Sequence, residues 1–163
     1  MPVRLLIALL FLLTLGLCPA GADASAVDLS KAIKIGNGPK AVIEFTDPDC
    51  PFCRKASAYF KARSDVTRYV FFSPLPTHPH ARQKVQYILS GTDSVQLYQL
   101  VMSGGVDRMD SASLPITQQG RKRQEEQHAI ARKVGVDGTP TFMIMGRIIE
   151  GFDLKRIEEL LGK

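Results

Sequence analysis

The apolar positions of this chain alternate between strand-like runs and helix-like spacings. Lys31-Ala-Ile-Lys-Ile35 alternates and stops at Gly36-Asn-Gly-Pro39, which predicts an edge strand. Ala41 to Thr46 is apolar on both faces apart from Glu44, which predicts a central strand covered on both sides. Asp47-Pro48 ends that run, and Pro51 suits the first turn of a helix, where its missing N–H does no harm. This helix is expected to reach about Arg63, with Phe52, Ala56, Tyr59 and Phe60 on one side. Val70-Phe-Phe72 marks a second strand within Thr67 to Ser73, followed by a loop stiffened by Pro74, Pro76 and Pro79.

Helical spacing resumes near His80 with Val85, Ile88 and Leu89, and again with Val95, Leu97, Leu100 and Val101 before Gly104-Gly105. A polar loop runs to Pro115. A charged helix is expected from about Thr117 to Val134, stopped by Gly135. Thr141-Phe-Met-Ile-Met145 and Ile148-Ile-Glu150 read as a hairpin, with Gly146-Arg147 as a type II′ turn and Met143 and Met145 as packing residues. Leu154 to Leu161 forms a last amphipathic helix. The predicted order is β-α-β, a helical insertion, α, then β-β-α.

The start of the chain follows a different logic. A positive stretch from Met1 to Arg4 precedes a thirteen-residue apolar run, Leu5 to Leu17, and small residues follow at Ala20-Gly-Ala-Asp-Ala-Ser-Ala26. That is the layout of a cleaved export signal, with cuts fitting after Ala22, Ala24 or Ala26. At ~1.5 Å per residue the run falls short of a ~30 Å hydrocarbon core. Residues 1–26 are therefore read as a signal peptide and 27–163 as a single domain of 137 residues. Cys18 leaves with the signal, so the two remaining cysteines belong to one motif and cannot staple distant segments. The formal charge of +5 forms no basic stripe interleaved with aromatics, and the chain has no Trp, which argues against a nucleic-acid partner.

The chemistry converges on Cys50-Pro-Phe-Cys53, where the central strand meets a helix start. Zinc needs about four ligands. No second such pair exists, and His78, His80 and His128 lack paired ligand spacing, so no metal is expected. A helix N-terminus favours negative charge, which would hold Cys50 as a thiolate, with Cys53 one turn inside to resolve a mixed disulfide. Asp47 and Asp49 oppose that thiolate, and Arg54 and Lys55 offset them. Glu44 lies six residues before Cys50 and has two readings: a water-facing edge residue, or a buried carboxyl whose raised pKa lets it take and return the proton of Cys53. Thr139-Pro140 opens the terminal hairpin, a place where a proline ordinarily belongs to a turn and is trans. His78 and His80 are expected to be solvated, and Arg121-Lys-Arg123 to be a solvated helix face.

Four segments, Phe45-Thr-Asp-Pro-Asp-Cys-Pro-Phe-Cys53, Arg68-Tyr-Val-Phe-Phe72, Gly135-Val-Asp-Gly-Thr-Pro-Thr141 and Gly151-Phe152, occur in an order that resembles the thioredoxin-fold family. They are nearest the catalytic domain of periplasmic disulfide isomerases of the DsbC/DsbG type. The resemblance implies an α/β thioredoxin-like fold, a central mixed sheet flanked by helices, with a helical insertion at about 78–116. It implies Cys50 as nucleophile, Cys53 as resolving thiol, and a substrate groove lined by Pro51, Phe52, Thr139 and a cis Pro140. The expected activity is reduction or isomerisation of disulfides in exported proteins, in the periplasm, with no cofactor beyond the cysteine pair. A membrane electron donor of the DsbD kind is the expected partner. The isomerases add an N-terminal dimerisation domain, and the short stretch between the signal and Ile35 leads to the expectation of a monomer. The insertion lacks the further cysteine pair of the DsbC branch, and an acid at the Glu44 position resembles thioredoxin and the oxidase DsbA. A DsbA-like oxidase and a chaperone for exported clients therefore stay open as alternatives.

Overall fold

The structure is a computed structural model that describes residues 27–163. The apolar leader, its cleavage sites and Cys18 lie outside the described residues. In chain order the elements are β1 (Ile33–Ile35), β2 (Lys40–Thr46), α1 (Pro51–Lys61), β3 (Val66–Phe72), α2 (Ala81–Ser90), α3 (Ser94–Met102), α4 (Gln118–Lys133), β4 (Thr141–Ile144), β5 (Arg147–Glu150) and α5 (Leu154–Leu161). Short 3-10 turns occupy Leu29–Lys31 and Ser111–Ser113.

The sheet has five strands in the order β1-β3-β2-β4-β5. β2 and β3 run parallel, as a helical crossover through α1 requires, and the other pairs are antiparallel. The apolar run at β2 thus lies at the centre, as its two-sided pattern predicts. Period-2 alternation sorts the side chains by face. Val42, Glu44 and Thr46 share one face with Arg68, Val70 and Phe72, beneath α1, α3 and α5. Phe45 and Phe71 turn to the other face, where they pack with Met143 and with Ala131 of α4.

On the first face the core is divided. One apolar body gathers Cys50, Cys53, Val70 and Phe72 with Val85, Ile88, Tyr98 and Met102 of α2 and α3. The other gathers Val42, Ala56, Phe60, Phe142 and Ile149 with Ile157 and Leu161 of α5. In α1 the buried positions are Cys53, Ala56, Ser57 and Phe60, a helical i, i+3, i+4, i+7 stripe that sends Cys53 inward. α4 runs close to α2 at Gly120, where a Cβ would meet the Gln86 carbonyl oxygen at 2.6 Å. Gln127 of α4 is wholly buried and ties the elements together: its Oε1 accepts from the Phe72 N–H at 3.0 Å and its Nε2 donates to the Lys31 carbonyl at 2.6 Å.

Three sequence expectations need correction. α1 ends at Lys61 rather than about Arg63, because Ala62 closes the last turn onto the Tyr59 and Phe60 carbonyls. Leu100 is largely exposed, and Tyr98 takes the buried place in α3. The hairpin turns one residue earlier than expected, at Met145 (φ 50°) and Gly146 (φ 73°), with Ile144 facing Arg147. Two positive φ values make a type I′ turn, whose twist suits the flanking strands, instead of type II′. Met143 is buried as expected, whereas Met145, also expected to pack, is 78% exposed because it sits in the turn and not in the strand. A left-handed conformation costs a side-chain-bearing residue ~1–2 kcal/mol, and Asn tolerates it best. Met145→Asn is accordingly expected to stabilise the protein by about 1 kcal/mol, read as a raised urea midpoint at unchanged slope.

Candidate active site

Cys50 is the N-cap of α1 and makes no side-chain cap hydrogen bond, so its sulfur stands at the open end of the helix. The turn that delivers it is pinned by its own backbone: Cys50 N–H donates to the Asp47 carbonyl at 3.2 Å, and its carbonyl accepts from Arg54 N–H at 3.1 Å. Pro51 sits at the first helical position, as its missing N–H predicts. The Cys50 thiol donates to the Thr139 carbonyl oxygen at 3.4 Å. The Thr139–Pro140 bond is cis. The loop before β4 therefore lies against the cysteine pair, although 89 residues separate Cys50 from Thr139.

Both cysteines are free thiols. Cys50 is 5% exposed and Cys53 fully buried. Burial pushes the Cys53 thiol well above its ordinary pKa, and the charge of Cys50 adds to this. Thr46, the Asp47 N–H and Thr139 act the other way. The Asp47 N–H points at the Cys53 sulfur from 3.4 Å. The hydroxyls of Thr46 and Thr139 are buried and, beyond this influence on Cys53, find no other hydrogen-bond partner among the described residues. Pro51 and Phe52 face outward, Phe52 with 56% of its surface exposed and the Lys55 ammonium 5.5 Å from its ring centre.

Glu44 is completely buried, which removes the water-facing reading. Its Oε2 accepts from Arg68 Nη1 at 2.9 Å, and the same nitrogen donates to the Tyr98 hydroxyl at 3.1 Å. The Arg68 guanidinium lies 5.4 Å from the ring centres of both Phe60 and Tyr98. Burial acts to lower the Arg68 pKa, but Tyr98 and Glu44 outweigh it and the value is raised. The Tyr98 hydroxyl is held protonated by burial, and next by the Glu44 charge. Glu44 Oε1 is buried with no partner among the described residues. This charged cluster fills the seam between the two apolar bodies.

The residues around the cysteine turn are more tightly paired than the sequence implied. Asp47 is fully buried: its Oδ1 accepts from Asp49 N–H at 2.8 Å, and its Oδ2 from Leu75 N–H at 2.7 Å. His78 Nδ1 lies 2.9 Å from the same Oδ2, which overturns its expected solvation: the proline-rich loop folds back onto Asp47. His80 is exposed, with Nδ1 3.0 Å from Ser111 Oγ. Asp49 is held by Lys84 of α2 at 2.6 Å, and Lys84 reaches Asp107 at 2.7 Å. Arg54 grips Asp107 with both guanidinium nitrogens and donates from Nε to the Pro48 carbonyl at 2.6 Å. Hydrogen bonds from Arg54, and then Lys84, hold the Asp107 carboxyl far below the usual carboxylate range.

Arg68, Lys84, Asp107 and the His78 contact escaped the sequence reading, yet two of them had a signal. Arg68 falls on the core face of β3 by alternation with Val66, Val70 and Phe72. Lys84 falls on the buried stripe of α2 with Ala81, Val85 and Ile88. Among the described residues, no group of three His, Cys, Asp or Glu side chains is arranged to hold a metal ion, and no helix is long and apolar enough to cross a membrane.

What this geometry can do chemically is thiol–disulfide exchange: one sulfur at a helix mouth, a second directly inside, and a peptide carbonyl beside the first. Comparison with known proteins agrees. A probable thiol:disulfide interchange protein DsbC from Bordetella avium is 30% identical over 119 residues, 72% of this chain and 40% of that protein. A protein of the same name from Bordetella parapertussis is 26% identical over 128 residues, 77% of this chain and 43% of that one. The chain thus spans about two-fifths of the length of these curated relatives. The crystal structure of a disulfide interchange protein from Neisseria gonorrhoeae superposes with a TM-score of 0.69 at 29% identity, covering 84% of this chain and all of that one. The catalytic domain of Proteus mirabilis ScsC shares the fold, with a TM-score of 0.64 at 19% identity over 80% of this chain and 87% of its own. The family model described as a thioredoxin-like domain matches residues 27–152, from the segment before β1 through the terminal hairpin and past both cysteines, and the chain belongs to that family.

Proposed function

We propose that the protein is an exported thiol:disulfide oxidoreductase that reduces or isomerises disulfides in periplasmic proteins. The observation that carries this reading is the hydrogen bond from the Cys50 thiol to the Thr139 carbonyl, which puts the nucleophile against a peptide segment able to pair with substrate. Residues 27–163 act as one thioredoxin-like domain with segment 78–116 inserted, delivered by a leader, 1–26, that is removed on export.

The Cys50 thiolate attacks one sulfur of a substrate disulfide. The S–S bond breaks, a Cys50–substrate mixed disulfide forms, and the other substrate sulfur leaves as a thiolate that takes up a proton. Cys53 then gives up its proton and attacks the Cys50 sulfur, releasing the second substrate thiol and leaving Cys50–Cys53 oxidised. Burial resists charge on Cys53, so its proton needs an acceptor within the protein. Glu44 Oε1, buried and without a hydrogen-bond partner among the described residues, is the carboxylate oxygen we assign to that role. Pro51, Phe52 and Thr139 form the substrate-facing surface, where exposed Phe52 offers apolar contact and Thr139 backbone pairing, and Pro140, itself buried, supports Thr139 from the next position. An oxidised pair that is to reduce again must receive two electrons, the task of a membrane donor of the DsbD kind. Isomerisation needs no net electrons, because the second substrate thiol can return to the mixed disulfide.

A DsbA-like oxidase is the second reading, favoured by the buried acid at Glu44. Scrambled ribonuclease A separates the two. The reduced protein, in catalytic amounts, is expected to restore ribonuclease activity by reshuffling its disulfides. A protein that only introduces disulfides into reduced ribonuclease would be the oxidase. Catalysis of neither reaction would end the enzyme reading.

A further inference from the structure

Asp49 immediately precedes Cys50, the N-cap of α1, so its carboxylate adds negative charge next to a helix mouth that favours a thiolate. Two cations answer it. Lys84 Nζ sits 2.6 Å from Asp49 Oδ1, and Arg54 Nη2 is 3.6 Å away. Arg54 is chiefly engaged elsewhere, through its paired bonds to Asp107 and its bond to the Pro48 carbonyl. Lys84 comes from α2, outside the β-α-β unit that carries the cysteines, and its side chain is only 8% exposed. Solvent therefore screens this pair little. Burial acts to lower the Lys84 pKa, and its bonds to Asp107 and Asp49 outweigh that.

We propose that Lys84 is a positioning residue of the redox site: by holding and neutralising Asp49, it keeps the mouth of α1 able to carry the Cys50 thiolate. This rests on the thiol-exchange reading and deepens it. The helical insertion thereby supplies charge to the active site as well as flanking it. The other charged groups facing the turn are Asp47 with His78 from the loop before α2, Arg54 and Lys55 from α1, and Asp107 from the loop after α3. All but Lys55 are paired in the structure, so loss of Lys84 leaves Asp49 as the carboxylate short of a close partner.

The test is the pH profile of iodoacetamide alkylation of Cys50 in the reduced protein, with fold followed by far-UV circular dichroism. Alkylation requires no substrate disulfide. Its outcome is therefore independent of the ribonuclease assay, and failure of the exchange reading and failure of this proposal are distinguishable. Lys84→Gln is expected to move the alkylation midpoint upward by about half to one pH unit, roughly a three- to tenfold slower reaction on the acid side. Lys84→Gln combined with Asp49→Asn should return the midpoint to the parental value or below it. Asp49→Asn alone should lower the midpoint, which keeps the idea testable if the lysine variant does not fold. An unmoved midpoint in folded Lys84→Gln overturns the proposal, as does a shift that Asp49→Asn does not reverse, or an unmoved midpoint in Asp49→Asn.

Discussion

Cys50→Ala is expected to reduce ribonuclease reactivation to the uncatalysed background while the protein stays folded. The sulfur contributes one contact of hydrogen-bond type, to the Thr139 carbonyl, and Cys50 has no capping bond to α1 that the change would remove. Its structural cost should therefore be about 1 kcal/mol, the ordinary range for a single substitution. The catalytic cost is complete, because Cys53 is fully buried and its thiol is held neutral, so it cannot take over the first attack. Cys53→Ala should behave differently: Cys50 still attacks, and the mixed disulfide accumulates because no inner thiol resolves it. The pair of variants also decides between an enzyme and a chaperone. A chaperone would keep its ability to suppress client aggregation in Cys50→Ala, with full biological activity. Retention of that kind would sink the exchange mechanism.

The second large effect is expected from Arg68→Met. Arg68 is 4% exposed and lies between the Phe60 and Tyr98 rings with Glu44 on one nitrogen. Methionine keeps much of the apolar stem and removes the charge, which strands a completely buried Glu44. Breaking a buried pair by removing one partner costs ~3–5 kcal/mol. For a domain of this size that corresponds to a fall in Tm of ~10 °C or more. Removing both charges is a different matter, since apolar replacement of a buried pair is often close to neutral. Glu44→Leu combined with Arg68→Met should thus recover most of the loss in a chemical unfolding series. A double variant no more stable than Arg68→Met would mean that stacking of the guanidinium between the two rings, rather than its charge, holds the cluster together. The same double variant reports on chemistry: if Glu44 accepts the Cys53 proton, release of mixed disulfides slows even where stability has returned.

The strand–turn–helix around the cysteines was legible because its signals are local. A two-sided apolar run predicts a central strand, and a proline after a cysteine predicts a helix start; β2 and α1 obey both. The cis Thr139–Pro140 bond was legible only by resemblance, since proline by itself favours trans. Pairings across long sequence separations were harder. Glu44 could be suspected of burial, but nothing in its own neighbourhood names Arg68, 24 residues on, as its partner. His78 was expected in solvent because a loop histidine usually lies there, and Lys84 carried no reading of its own; the carboxylate partners lie 31 residues from His78, and 35 and 23 from Lys84. The hairpin slipped by one residue for a different reason: Met145 adopts a backbone conformation that its side chain disfavours, and the cross-strand register of β4 and β5 overrides that preference.

The charged seam between the two apolar bodies has an evolutionary consequence. Layers that share no continuous greasy interface do not have to be repacked together. A lineage could lengthen, shorten or recharge α2 and α3, and so redecorate the rim around the thiols, while the half of the sheet under α5 kept its jigsaw intact. Because the thiols pack in the same body as α2 and α3, such changes would retune the cysteines too, while the α5 half goes on holding the sheet.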